Sequence, residues 1–376
     1  MSLAALAGWT NLRVEVLTAG PVAVVISASG PGLEAQTAVP VPLVPSVTDE
    51  VPYPAPALNR ERLDAAVTAV LRGAAPIQHG EWREVRFFSR TLDREMAYYA
   101  WLPPGYAASE AEDPGASERT YPTLYLLHGL GDPDSYGKDQ WRKYGIAETM
   151  DELLALGLVQ PMLIILPEGE QGYWINHADG GPRWADYLVK DVVAHVDLTF
   201  RTQPVRERRA VGGMSMGAHG ALQLGLNYPD VFAIVGAHAP TLRAFEQSPP
   251  YFGDFTWFSR YDPISLVQAT SAARRLATWI DVGHLDPWRA GVERLRQALM
   301  AQGAPLEYIV LEGEHQTWYW GTYLPEYLRY YARAFSAPGS TADGAPRVTT
   351  ASAADDQPHG DAVGSRGQPR DGTRPS

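Results

Sequence analysis

Near the middle of the chain, Gly213, Met214, Ser215, Met216 and Gly217 have the spacing G-x-S-x-G of a nucleophile elbow. In such an elbow a strand turns sharply into a helix and holds the serine in a strained conformation. A Cβ at either flanking position would collide, so those positions take glycine. The turn pushes the Ser215 hydroxyl outward and aims the following helix start, with the Met216 amide, at the place where an oxyanion would form. An apolar run, Ala210 to Gly212, precedes the motif, and a small-residue stretch from Ala218 to Leu226 follows it. That strand and helix context separates an elbow from a chance match.

A serine hydroxyl is a weak nucleophile and needs a base, which in turn needs an orienting acid, in the chain order Ser, acid, His. Downstream of Ser215 stand His219, His238, His284, His315 and His359. His315 is the expected base, because Val310-Leu-Glu-Gly-Glu-His places it in a loop directly after an apolar strand. His219 is expected on the surface of the elbow helix or against a neighbouring loop. For the acid, Asp281 lies within a strand and Asp286 just beyond its end. Asp286 is preferred, since the acid must reach His315 at the C-terminal edge of the sheet, and Asp281 remains the alternative, or a structural carboxylate. Asp254 and Asp262 fall in an aromatic insert, and Glu312 and Glu314 are too close to His315 to orient it. The loop Leu126-Leu-His-Gly-Leu-Gly-Asp should supply a second oxyanion donor, the Leu130 amide, with Gly129 allowing close approach and His128 packing beneath. Asp132 and Asp134 read as an exposed turn rather than a metal site. Tyr173, Trp174, Asn176 and Trp184, and the aromatic run from Tyr251 to Tyr261, read equally as pocket wall or as packed cap. Trp174 and Trp318 are singled out as substrate-binding candidates.

These side chains need a scaffold. Short apolar runs at Leu124 to Leu127, Leu163 to Leu166, Ala210 to Gly212, Ile234 to His238, Thr278 to Val282 and Tyr308 to Leu311 read as buried strands. Helical stretches, Ile146 to Leu156 and Tyr187 to Leu198, alternate with them. Before them, Val85 and Phe87, a turn around Asp93, and Met96, Tyr98, Ala100 and Leu102 predict an antiparallel hairpin. The expected fold is therefore α/β, with a mostly parallel central sheet and helices on both faces, spanning residues 81–336. A small β-rich region with a Pro-rich connector is expected over 1–56, with strands around Leu12 to Val16 and Val22 to Ile26. A linking helix capped at Asn59 and closed at Gly73 is expected within 57–80, and a disordered tail over 337–376.

The 376 residues are 45% hydrophobic, enough for a large core, and carry a net charge of −12 that argues against a nucleic-acid or anionic-membrane partner. The absence of cysteine removes thiolate chemistry and disulfides. The N-terminus lacks the basic region of a signal peptide and no apolar run is long enough to span a bilayer, so a cytoplasmic location is the expectation.

From about Trp82 to Phe335 the chain resembles the esterase D family of α/β-hydrolases, which includes feruloyl and acetyl-xylan esterases, S-formylglutathione hydrolases, enterochelin esterases and mycolyltransferases. The resemblance rests on Leu127-His-Gly-Leu-Gly, Pro167-Glu-Gly followed by Tyr173-Trp-Ile-Asn, Gly213-Met-Ser-Met-Gly-Ala-His-Gly-Ala, Gly283-His-Leu-Asp and Gly313-Glu-His-Gln-Thr-Trp-Tyr-Trp. It implies an α/β-hydrolase fold, a Ser215, Asp286 and His315 triad, oxyanion donors at Leu130 and Met216, and no cofactor. Ala218 and Glu168 depart from the glycine and aspartate common in relatives. The implied activity is serine carboxylesterase action on a small-molecule or carbohydrate-linked ester. Acyl transfer to an alcohol uses the same triad, and a non-catalytic binding protein on this fold is the rival from a different class.

Overall fold

A computed structural model of the chain describes residues 77–107, 113, 115–131 and 137–337, together with the backbone of three N-terminal strands. Those strands, β1 (Asn11–Leu17), β2 (Ala23–Gly30) and β3 (Leu33–Pro40), pair antiparallel as a separate sheet. The third lies beyond the two strands expected there, and its Leu33, Ala35 and Thr37 pair with Gly30, Ala28 and Ile26. The helix expected from Asn59, the turn at Asp132 and Asp134, and the tail beyond residue 337 lie outside the described residues.

The second sheet has eight strands: β4 (Glu81–Ser89), β5 (Arg94–Leu102), β6 (Thr123–Leu127), β7 (Leu163–Pro167), β8 (Arg209–Met214), β9 (Ile234–His238), β10 (Ala277–Gly283) and β11 (Leu306–Leu311). Their order is β11-β10-β9-β8-β6-β7-β5-β4. The six from β11 to β7 are mutually parallel, and the β4–β5 hairpin joins antiparallel at β7. At the hairpin turn Asp93 adopts φ 51°, a left-handed conformation that a short polar side chain tolerates.

The central strands are apolar throughout because both faces are covered. Tyr125 and Leu127 of β6 belong to one hydrophobic cluster, and the alternating Leu124 and Leu126 to the other. On the second face pack α1 (Ile146–Ala155) and the C-terminal helix; on the first pack α2 (Val193–Thr199), α3 (Met216–Asn227) and α4 (Arg289–Ala301). The C-terminal helix, α5 (Leu324–Ser336), buries Tyr327, Leu328, Tyr330, Tyr331 and Phe335. Glycines in two adjacent strands admit it: a Cβ on Gly212 or Gly236 would lie 1.8 or 1.9 Å from the Tyr331 hydroxyl. This is the α/β-hydrolase arrangement, and it leaves the C-terminal ends of β6, β8, β9, β10 and β11 along one edge of the sheet. No helix among the described residues is long and apolar enough to cross a membrane.

Candidate active site

β8 ends at Met214 and α3 begins at Met216, so a single residue makes the turn. That residue, Ser215, has φ 54° and ψ −114°, a conformation unfavourable for any side chain with a Cβ and held only by its surroundings. Its amide donates to the His238 carbonyl at 3.0 Å, and its carbonyl accepts from Thr241 N at 3.2 Å and His219 N at 3.1 Å. The flanking glycines are required sterically. A Cβ on Gly217 would sit 2.4 Å from the Leu127 carbonyl oxygen, and one on Gly213 would sit 2.4 Å from the Gly217 carbonyl carbon.

The Ser215 Oγ lies 2.8 Å from Nε2 of His315, which the loop after β11 carries back over the elbow. Nδ1 of the same ring lies 2.8 Å from Oδ2 of Asp286, just beyond β10. The second Asp286 oxygen accepts the Trp288 amide at 2.8 Å, which fixes the carboxylate plane. The three side chains that the sequence pairs are therefore brought into one hydrogen-bonded row. The His315 ring also meets Trp320 edge-on, with centroids 5.0 Å apart, and Trp320 donates to the His238 carbonyl at 3.1 Å. The elbow and the histidine loop thus share one backbone anchor.

Asp281, the alternative acid, sits elsewhere. It is fully enclosed and accepts four hydrogen bonds: from His238 Nδ1 (2.7 Å) and Trp279 Nε1 (2.8 Å) on one oxygen, and from the Tyr319 (2.8 Å) and Tyr327 (3.1 Å) hydroxyls on the other. No acceptor capacity is left for His315. Asp254 and Asp262 are helix N-caps, accepting from Trp257 N and Ser265 N at 2.8 Å each. Glu312 lies beside His284, 3.5 Å from its Nε2.

Met216 is the first residue of α3, where amides lack intrahelical partners, and Leu130 lines the same cavity as Ser215. The Leu130 loop is braced from three sides. Gly129 N donates to Gln140 Oε1 at 2.7 Å, Trp141 Nε1 to the Leu127 carbonyl at 2.9 Å, and Gly169 N to His128 Nε2 at 2.9 Å. Gln140 and Trp141 come from a short helix, Gln140–Lys143, that no sequence motif marks. Glu168 stands nearby, and its carboxylate accepts the amides of Glu170 at 2.9 Å and Lys138 at 3.3 Å.

A cavity of about 290 Å³ opens over Ser215 and His315, walled by Gln140, Tyr144, Tyr173, Arg243, Trp288 and Trp320. Two expectations are corrected here. Trp174 is fully buried beneath the loop after β6, where its indole donates to the His128 carbonyl at 3.3 Å and packs against Gly169 and Gly220. It is a support, not a cavity wall. Trp318 is half-exposed and packs over Gly313, while Trp320, two residues on and on the opposite side of the same short helix, lines the cavity in its place. Of the two settings expected for His219, the structure has it against neighbouring loops: Tyr173 and Phe252 meet its ring edge-on, and burial lowers its pKa to about 4.

The family described as "Putative esterase" matches residues 89–331 of the chain. Among solved structures, a ferulic acid esterase is 23% identical with a TM-score of 0.60, covering 68% of this chain and 99% of its own. A fluorophosphonate-binding serine hydrolase of Staphylococcus aureus is 19% identical with a TM-score of 0.58, again over 68% and 99%. An S-formylglutathione hydrolase from Agrobacterium tumefaciens is 20% identical with a TM-score of 0.53, over 68% and 96%. The structural likenesses carry the fold, and the family match carries the class. The chain belongs to the "Putative esterase" family, on the α/β-hydrolase fold, and is an ester hydrolase.

Proposed function

We propose that the chain hydrolyses a carboxylic ester through an acyl-enzyme on Ser215, with His315 as general base and acid and Asp286 as its orienting carboxylate. The unbroken row Ser215–His315–Asp286, with 2.8 Å at each link and its serine open to a cavity, carries this reading. With Nδ1–H donated to Asp286, Nε2 of His315 is the free acceptor and can take the Ser215 proton as Oγ attacks the ester carbonyl. The tetrahedral oxyanion is assigned to the amides of Met216 and Leu130, each such donor being worth about 3 kcal/mol of transition-state stabilisation. His315 then returns its proton to the leaving alcohol. Water, deprotonated by the same nitrogen, attacks the acyl carbonyl and releases the acid. The volume and aromatic walls of the cavity suit a short acyl group or a single ring. Purified protein should hydrolyse p-nitrophenyl acetate, and Ser215→Ala should abolish turnover while leaving the thermal midpoint within a few degrees. Near-normal turnover by the folded variant refutes the proposal.

A further inference from the structure

Arg243 places a cation in the wall of this cavity, five residues beyond the end of β9. Its guanidinium is held in position rather than neutralised. Nε donates to the Tyr173 hydroxyl at 2.7 Å, and the guanidinium carbon lies 4.9 Å from the Trp288 ring centroid and 5.5 Å from that of Tyr173. Tyr173 itself is buried and held at φ 54°, a left-handed conformation costly for an aromatic residue, with Thr241 also reaching its hydroxyl at 3.5 Å. Among the described residues no carboxylate pairs with Arg243, and neither terminal nitrogen has a hydrogen bond. Other partly buried arginines use theirs: Arg209 on Asp197 and the Val231 carbonyl, Arg201 on the carbonyls of Tyr106 and Ala116. A planar fork with four N–H donors, fixed between aromatic rings and left without an anion in a chain of net charge −12, is suited to bidentate recognition of a carboxylate.

We propose that Arg243 is an anion subsite, and that the preferred substrate is an ester carrying a free carboxylate a few bonds from the scissile carbonyl. The inference rests on the esterase reading and adds the substrate class to it. Stacking on Trp288 limits the rotamers of the side chain, so little ordering entropy remains to be lost on binding.

The test compares esters that differ only in carboxylate against carboxamide: monoethyl succinate, glutarate and adipate against the ethyl esters of the corresponding monoamides, and acetoxyacetate against acetoxyacetamide. Hydrolysis is followed by pH-stat titration. For at least one pair, kcat/KM should favour the carboxylate tenfold or more, and raising NaCl from 0.05 to 0.5 M should reduce that ratio. In Arg243→Gln the ratio should fall at least tenfold, and in Arg243→Lys, which keeps the charge without the fork, it should lie between. The salt dependence is read on the unaltered protein, so it stands even if a variant folds poorly. Hydrolysis of both members of every pair at equal efficiency overturns the anion subsite and leaves the esterase reading intact. A ratio that survives in folded Arg243→Gln also overturns it. Turnover of none of the esters removes both.

Discussion

Replacing Asp281 and Asp286 separately with Asn should produce two different losses. Asp281 is enclosed and accepts four hydrogen bonds, two on each oxygen. An asparagine keeps one oxygen for His238 and Trp279 and turns its NH2 group toward the Tyr319 and Tyr327 hydroxyls, which must rotate from donating to accepting. All four bonds then lose their charge assistance, at about 1–1.5 kcal/mol each. The sum is ~4–6 kcal/mol, close to the scale of breaking a buried ionic cluster. At roughly 2–4 °C per kcal/mol for a domain of this size, Asp281→Asn should lower the thermal midpoint by on the order of 10 °C. Asp286 accepts only the Trp288 amide and His315. With its oxygen kept on the Trp288 amide, Asp286→Asn presents NH2 to His315 Nδ1 and selects the tautomer protonated at Nε2, which cannot accept the Ser215 proton. Turnover should fall about a thousand- to ten-thousand-fold with a midpoint within a few degrees of the parent. Calorimetry and p-nitrophenyl acetate hydrolysis on the same preparations read both quantities. An Asp286→Asn protein retaining more than a tenth of its turnover, or an Asp281→Asn protein that loses turnover at unchanged midpoint, refutes the division of roles.

Two further outcomes follow from local geometry. Gln140→Ala removes the acceptor of the Gly129 amide and should lower kcat about tenfold or more, because the loop carrying Leu130 loosens, with a smaller change in KM from the loss of one of several side chains in the cavity wall; steady-state kinetics on a soluble ester separates the two. His219 has its pKa lowered by burial to about 4, so the unfolded chain takes up a proton first as pH falls, and stability is lost between about pH 6.5 and pH 4. The loss approaches ~3 kcal/mol, and urea unfolding of His219→Phe at pH 7 and pH 4.5 should show a smaller difference between the two pH values than the parent.

The elbow and the sheet were legible because their signals are local. Ser215 declares itself by two glycines that the Leu127 carbonyl and the turn backbone permit no Cβ to replace, and each parallel strand is a short apolar run closed by loop residues. His315 and Asp286 were legible from their places just past β11 and β10, since side chains there meet at the same sheet edge. What stayed hidden depends on partners distant in sequence. Three of the four donors around Asp281 come from residues 238, 319 and 327, and the room for Tyr331 comes from glycines in two different strands. Aromatic density could not distinguish Trp174, sealed under the loop after β6, from Tyr173, its neighbour on the cavity wall; both have positive φ, and the chain reverses between them. Trp318 and Trp320 differ by two residues on a short helix, Thr317–Thr322, enough to move a ring from half-exposed packing over Gly313 to the cavity. Gln140 and Arg243 belong to no motif, and only their contacts reveal them.

The most direct measurement is mass spectrometry of the protein quenched in acid during p-nitrophenyl acetate turnover and digested. The proposed mechanism predicts one acetyl adduct, on the peptide containing Ser215, absent from Ser215→Ala and formed more slowly in Asp286→Asn than in the parent. An adduct on another residue, or hydrolysis that continues in folded Ser215→Ala, would contradict it.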